Sequence, residues 1–423
     1  MLQIAQIRKN ADAIIERLKI RGIDAETIIG EVLIADENNR ALRTQMEQLQ
    51  ANLNNISSEI GDLYKSGKKA EGDALKASTV ELKDQLRDIA VLVEDGEKTL
   101  TQLLLTIPNT PQLNVPLGKT PEENVTVLEH GSKPQLPANA IPHWELAAKY
   151  NIIDFELGVK LTGAGFPVYR GKGAILQRAL IQFFLNEANA HGYTEIQPPL
   201  MVNADSGYGT GQLPDKEGQM YHVGVDDLYL IPTAEVPITN LYRDVILDEK
   251  QLPIKNAGYT PCFRREAGSY GAHVRGLNRL HQFDKVEIVQ IVKPEDSNDT
   301  LEVMQNYVQN LLQKLGLHYR VLLLCGGDMG FTSAKTYDME VWSAAQEKWL
   351  ECSSISNFET FQTNRLKCRY RNAEGKTELA HSLNGSALAL PRIVAAILEN
   401  YQTENGIVVP EVLRPYTGFD LIN

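Results

Sequence analysis

The sequence predicts an α+β fold: an antiparallel β-sheet domain flanked by helices and preceded by a long antiparallel α-helical coiled-coil arm. Three observations point there. Two unbroken heptad runs fill most of the first hundred residues, and a proline-rich stretch follows them. The rest of the chain then mixes strand and helix patterns without regular βαβ alternation.

The totals set the frame. A chain of 423 residues suits two or three domains, and 43 % hydrophobic with 23 % charged residues is ordinary globular composition. The first ten residues carry charge, and no stretch approaches the roughly 18 apolar residues that span a bilayer. A cytoplasmic protein without membrane insertion is expected. Cys262, Cys325, Cys352 and Cys368 are scattered without a CxxC pair, so neither a disulfide framework nor a zinc site is expected. A net charge of -12 argues against broad adhesion to nucleic acid, so such a partner would be held at local basic patches.

The arm is read from spacing. Ile28, Val32, Ala35 and Asn39 open a run that steps 4, 3, 4, 3 as far as Leu63. After the polar break SGKKAEGD, Leu75, Thr79, Leu82 and Leu86 open a second run that ends at Leu103. Strict 4-3 spacing keeps a narrow apolar stripe on one helix face. Two such runs joined by a short hinge fold back as a hairpin over about 26–104. At 1.5 Å per residue the first run is about 50 Å long, enough to project beyond a globular body. A dimerisation coiled coil is the plainer use of such a pattern. The hinge holds Lys65, Lys68, Lys69 and Lys76 against Glu71 and Asp73, which suits either phosphate contact or a solvated tip.

Seven prolines then fall between Pro108 and Pro142. Proline fixes φ and lacks a donor, so neither a long helix nor a central strand fits there. The division expected is 1–105 for the arm domain, 106–142 for a linker and 143–423 for the body. In the body, Leu176, Ala179, Leu180, Phe183 and Phe184 form a helical stripe leading to the extended YTEIQPPL. LYLIP, GYTPCF, HQFDKVEIVQIV and KWLECSS read as strands.

Two places gather chemistry. Residues two apart on a strand share a face, so Arg264 and Glu266 point one way, and Phe283, Lys285 and Glu287 share a face of the next strand. Paired as a hairpin, they would collect a phosphate fork, an aromatic platform and carboxylates, or simply a solvated face with ion pairs. Pro391 suits the first position of a helix, which sets Arg392 in the first turn. A cation there calls for a bound anion, such as a triphosphate, or for a neighbouring Asp or Glu.

These segments carry a resemblance. FRREAGSYG with RGLNRLHQFDKVE resembles motif 2 of class II aminoacyl-tRNA synthetases in the version of seryl-tRNA synthetases, and HSLNGSALALPRIVAAILENYQ resembles their motif 3. The helix from Ile175 with YTEIQPPL resembles the dimer-forming motif 1, its proline at Pro198 or Pro199. GTGQLP, PTAEVP and ECSSISNFETFQ are also similar to stretches of that family. With the hairpin included, the similarity runs in order over nearly the whole chain.

The resemblance implies an enzyme that activates L-serine with ATP and transfers it to tRNA(Ser), with tRNA(Sec) as a further candidate. It implies a homodimer with tRNA held across subunits by the hairpin, at Lys65, Lys68, Lys69 and Lys76. Arg264, Glu266 and Arg392 would be catalytic, Arg264 on the α-phosphate and Arg392 on the γ-phosphate. Arg265 would assist in ATP binding and Phe283 would stack on adenine. Glu351, Cys352, Ser353 and Ser354 would also line the ATP site, Glu351 and Ser354 holding Mg²⁺. Thr233, Ala234, Glu235, Glu287 and Ser386 would form the serine pocket, with the carboxylates' separate roles left open.

Asp284 stands where the family more often has glutamate, Pro391 replaces a glycine, and the loop SYGAHV follows no family pattern, which leaves its contact with the tRNA acceptor end open. Positioning and electrostatics would supply the rate, with no protein nucleophile. The competing expectations are a relative that loads a small amino acid onto a carrier protein, and a non-catalytic nucleotide-binding scaffold.

Overall fold

The two heptad stripes become two long helices, α1 (Ala25–Lys65) and α2 (Lys69–Thr106), in a computed structural model that describes residues 1–266 and 275–423. Asp24 starts α1 by accepting a hydrogen bond from the Thr27 amide at 3.3 Å. That pairs one of the orphan donors of the first turn. Every stripe position from Ile28 to Leu63 and from Leu75 to Leu103 is buried or half-buried, whereas most positions between them are exposed. A two-stranded seam covers each helix along one narrow line only, so partial burial is the expected outcome.

The turn between the helices contains Gly67 at φ 79°, a left-handed conformation that glycine adopts at no steric cost. Beside it the Tyr64 ring lies over Gly72, where a Cβ would come within 3.1 Å of a ring carbon, and the Tyr64 hydroxyl donates to Asp73 at 2.6 Å. In the seam Asn39 meets Gly96: a Cβ on Gly96 would stand 3.2 Å from Asn39 Oδ1, an atom that is buried without a hydrogen-bond partner. The helices with residues 2–19 and 23–108 form one compact unit, and 109–423 with residues 1 and 20–22 form the other.

The second unit is built on eight strands: β1 (Val125–His130), β2 (Thr194–Glu195), β3 (Ile254–Phe263), β4 (Gln282–Val292), β5 (Tyr319–Leu323), β6 (Lys335–Ser343), β7 (Lys348–Glu359) and β8 (His381–Ala389). Their spatial order is β1-β5-β6-β7-β8-β4-β3-β2. All neighbours are antiparallel except β2, which runs parallel to β3. YTEIQPPL yields only the two-residue β2, since Pro198 and Pro199 cannot donate to a ladder. LYLIP enters a small separate sheet as Leu228–Leu230.

Residues 109–142, expected as a linker, belong to this unit and supply β1. An edge strand is bonded along one side only, so a proline-rich stretch can provide it.

One face of the sheet is packed by three helices: α3 (Gly171–Ala190), α5 (Ser297–Lys314) and α7 (Leu390–Asn400), with α4 (Glu235–Asn240) and α6 (Phe361–Leu366) elsewhere in the unit. Leu176, Leu180, Phe183 and Phe184 of α3 meet Val286, Ile288 and Val292 of β4 in the main core. Alternation then turns Lys285, Glu287 and Val289 to the opposite face, where Val289 packs with Ala234 and Ile238. Among the described residues no helix is long and apolar enough to cross a membrane.

Candidate functional site

The strand order brings three motif segments side by side, with β8 between β7 and β4. Neighbouring strands lie about 4.8 Å apart, so side chains on their common face can meet one small ligand. Glu287 of β4 stands opposite Ser386 of β8, and the Ser386 hydroxyl donates to Glu287 Oε2 at 3.4 Å. Lys285 Nζ lies 2.6 Å from Glu287 Oε2 and donates to Thr233 Oγ1 at 2.8 Å. Glu235, in the first turn of α4, accepts from Gln362 Nε2 at 2.6 Å, and Gln362 Oε1 accepts from Ser382 at 2.8 Å.

Two buried carboxylates therefore share one pocket with a single buried ammonium. Burial, reinforced by Glu287, raises the Glu235 carboxyl to about 7, against the pull of Gln362, Lys285 and Asn384. Of the residues assigned to the serine pocket, Thr233, Glu235, Glu287 and Ser386 converge. Ala234 is the correction: its methyl packs with Ile238 and Val289, so only its backbone remains for a ligand.

Lys285, Gln362 and Asn384 were not assigned a role from the sequence. Lys285 shares a strand face with Glu287, and a buried carboxylate needs a partner. That argument could have found it. Asn384 was equally readable, two residues before Ser386 on the same strand face.

Beyond the end of β3, Arg264 donates from Nε to the Pro232 carbonyl at 3.3 Å and holds its guanidinium 5.2 Å from the Phe283 ring centroid. Arg264 and Phe283 thus form one wall. Glu266 corrects the expectation that it would follow Arg264 on a strand face. The strand stops at Phe263, Glu266 takes φ 48°, and its carboxylate pairs with Arg279. The Arg265 amide donates to the Gln219 carbonyl, and its guanidinium lies beside Gly218, outside the Arg264–Phe283 wall. Asp284 faces the other way, accepting from Gln177 and Tyr259, each at 2.8 Å. The loop segment SYGAHV lies outside the described residues.

Glu351 and Ser354 are three apart and would point to opposite faces of a regular strand. The β6–β7 register slips between Met339 and Glu340, which pair with Ser353 and Glu351, so Cys352 is an extra residue on β7. That bulge restores both side chains to one face. There they meet Asp338 of β6, whose carboxyl is raised above its ordinary range by burial and by Glu351, while a hydrogen bond from Ser354 opposes the shift.

The bulge also corrects two ATP-site assignments. Cys352 points into the core, its thiol donating to the Met339 carbonyl at 3.3 Å. Ser353 is buried and donates to the Ser386 carbonyl at 2.6 Å.

Pro391 takes the second position of α7, after Leu390, rather than the first. Arg392 falls in the first turn as expected and lies 3.5 Å from Glu351 Oε2. A neighbouring glutamate thus compensates the cation at the positive helix end. Among the described residues no group of three or more His, Cys, Asp or Glu side chains is placed to hold a metal ion.

The hairpin tip separates the four assigned lysines. Lys65 lies 3.4 Å from Asp62 and Lys68 3.3 Å from Glu71, whereas Lys69 and Lys76 are exposed with no ion pair among the described residues.

Residues 1–111 match the model of the seryl-tRNA synthetase N-terminal domain, and residues 221–401 match that of the tRNA synthetase class II core domain (G, H, P, S and T). The serine–tRNA ligase of Salinibacter ruber is 49 % identical, over 99 % of this chain and 98 % of that protein. The seryl-tRNA synthetase of Pyrococcus horikoshii, solved with ATP, superposes with a TM-score of 0.92 at 34 % identity, over 100 % of this chain and 99 % of that one. The cytoplasmic serine–tRNA ligase of Naegleria fowleri, solved with AMP, gives 0.88 at 27 % identity, again over 100 % and 99 %.

Proposed function

The chain belongs to the seryl-tRNA synthetase family, and from that premise we propose how its residues divide the work. It activates serine with ATP and charges tRNA with the product. The acceptor is tRNA(Ser), with tRNA(Sec) as a second substrate. The enzyme works in the cytoplasm as a homodimer that holds tRNA across subunits. Residues 1–105 hold the tRNA and 143–423 carry the chemistry, with 109–142 part of the same unit as the latter.

One observation carries the pocket assignment: Glu235 and Glu287, both buried, lie close enough for Glu287 to raise the Glu235 carboxyl, beside Thr233 and Ser386. Serine presents an ammonium and a hydroxyl. Two carboxylates and two hydroxyls satisfy them, and a ligand lacking the hydroxyl would leave buried groups unpaired, a discrimination of about 10⁴-fold. Lys285 keeps the pair compatible before serine arrives, by compensating Glu287 and orienting Thr233.

ATP lies along the neighbouring wall. Phe283 stacks on adenine and Arg264 meets the α-phosphate, while Glu266 reaches ATP only by leaving Arg279. Arg392 leaves Glu351 for the γ-phosphate. Glu351 and Ser354 are then free to hold the Mg²⁺ of the substrate. A carboxylate and a hydroxyl, with the orphan Asp338 Oδ1 nearby, form a hard oxygen set. Such a set suits Mg²⁺ that brings phosphate ligands of its own.

The serine carboxylate attacks the α-phosphorus in line, and Arg264 offsets the charge that develops, giving seryl-adenylate and pyrophosphate. A tRNA ribose hydroxyl then attacks the adenylate carbonyl. No protein nucleophile is required, since position and charge supply the rate.

ATP–pyrophosphate exchange with each of the twenty amino acids tests this reading. Serine alone should support rapid exchange. Exchange driven best by another amino acid would overturn the pocket assignment, and none with any would favour the scaffold.

A further inference from the structure

We infer that Gln362 is a positioning residue for serine: it holds the Glu235 carboxylate in place and ties it to the GTGQLP segment and to β8. The inference rests on the reading that Glu235 binds serine, and it goes further by naming the group that sets how Glu235 is presented.

Four of the segments that carry the family resemblance meet at this one side chain. Gln362 closes ECSSISNFETFQ and lies in α6, just beyond the end of β7. Its Nε2 donates to Glu235 Oε1, in PTAEVP, at 2.6 Å and to the Thr210 carbonyl, in GTGQLP, at 3.2 Å. Its Oε1 accepts from the Ser382 hydroxyl of β8, in the motif 3 segment, at 2.8 Å. Ser382 shares a strand face with Asn384 and Ser386, so the contact lies along the same row as the pocket. Gln362 and Ser382 are each 1 % exposed and Thr210 is fully buried, so a partner lost here is not replaced from bulk solvent.

The Ser382 hydroxyl decides which way the amide faces. With Oε1 taken by that donor, both hydrogens of Nε2 are left to acceptors, one to the carboxylate and one to the carbonyl. Glutamate at this position would set a third carboxylate against Glu235 and Glu287, and an apolar residue would strand all three partners. The bond to Glu235 favours its charged form, against burial and against Glu287. Glu287 and Lys285 face Glu235 from β4, and Asn384 from β8 supports Gln362 in the same sense. Serine therefore meets a carboxylate whose orientation is already fixed, and ordering it at the moment of binding costs less.

The test measures serine-dependent ATP–pyrophosphate exchange over a pH series for the full chain and for Gln362→Met, Ser382→Ala and Glu235→Gln. Gln362→Met keeps the length of the side chain and removes every hydrogen bond it makes. It should raise KM for serine by about 10- to 100-fold, the worth of a hydrogen bond to a charged group, and leave KM for ATP unchanged. It should also move the midpoint of the serine KM–pH curve upward, because Glu235 then loses a group that favours its charge. Ser382→Ala should shift both readouts the same way by less, and it decides the matter alone if Gln362→Met does not fold. Parent values of serine KM and midpoint in both variants, with serine affinity lost in Glu235→Gln, would overturn the role of Gln362 and leave the pocket reading intact. A rise in KM for ATP as large as that for serine would overturn it too, by making Gln362 a support of the fold. A parent KM for serine in Glu235→Gln would instead remove the reading beneath it.

Discussion

The arm and the cleft are specified in opposite ways. In the arm one rule, the 4-3 step, places every seam residue, and nothing but register has to be right. In the cleft the groups that meet come from Thr233, Glu235, Glu287, Gln362 and Ser386, with one buried lysine holding the carboxylates in balance. A periodic element tolerates change at most positions because each contributes little. A converging site concentrates its free energy in a few buried charges, where loss of one partner strands another.

The largest expected effect separates the two regions altogether. Deleting residues 35–100 should abolish tRNA charging yet leave serine-dependent exchange within about twofold, since exchange needs only small substrates positioned in the cleft. Equal loss of both activities would show that arm and cleft act as one. Next comes Arg264→Ala. Removing a preorganised donor from developing charge should lower the exchange rate by about 10²–10³-fold, and a loss under tenfold would move the α-phosphate to another residue.

Protonation gives a smaller, signed effect. Glu235 is raised from 4.5 to about 7. Between those values the native protein holds a proton that the unfolded chain has released, so this group's contribution to stability falls as pH rises through that window. Glu235→Gln should flatten that part of a denaturation series. In the parent enzyme KM for serine should fall as pH rises from about 6 to about 8, as the carboxylate forms. A parent KM independent of pH there would detach Glu235 from the ligand.

The smallest effect tests the arm's own exception. Asn39 Oδ1 is buried without a partner. Asn39→Leu should therefore stabilise the chain by about 1 kcal/mol, read from its urea midpoint. A loss of stability would show that Asn39 finds a partner in solution.

The same contrast explains what could be read from the sequence. The seam, α3 and the facing of Lys285 and Glu287 follow from periods of 3.5, 3.6 and 2, which the order of apolar residues exposes. The end of β3 before Arg264 was not legible, because Glu266 turns to pair with Arg279, 13 places further on. Nor was the edge strand Val125–His130 legible, since proline content reports where donors are missing and not where an edge needs none. The burial of Cys352 and Ser353 was hidden for a related reason: period-2 reasoning assumes equal counts on paired strands.

That unequal count has a consequence for how this enzyme can change over time. Cys352 offers the ligand nothing but a spacer, so other small apolar residues should serve in its place. Removing the position would rotate Glu351 away from Ser354 and Asp338 without altering any of the three. The strand is forgiving of spelling and unforgiving of length, and a single lost codon there would do what few substitutions could.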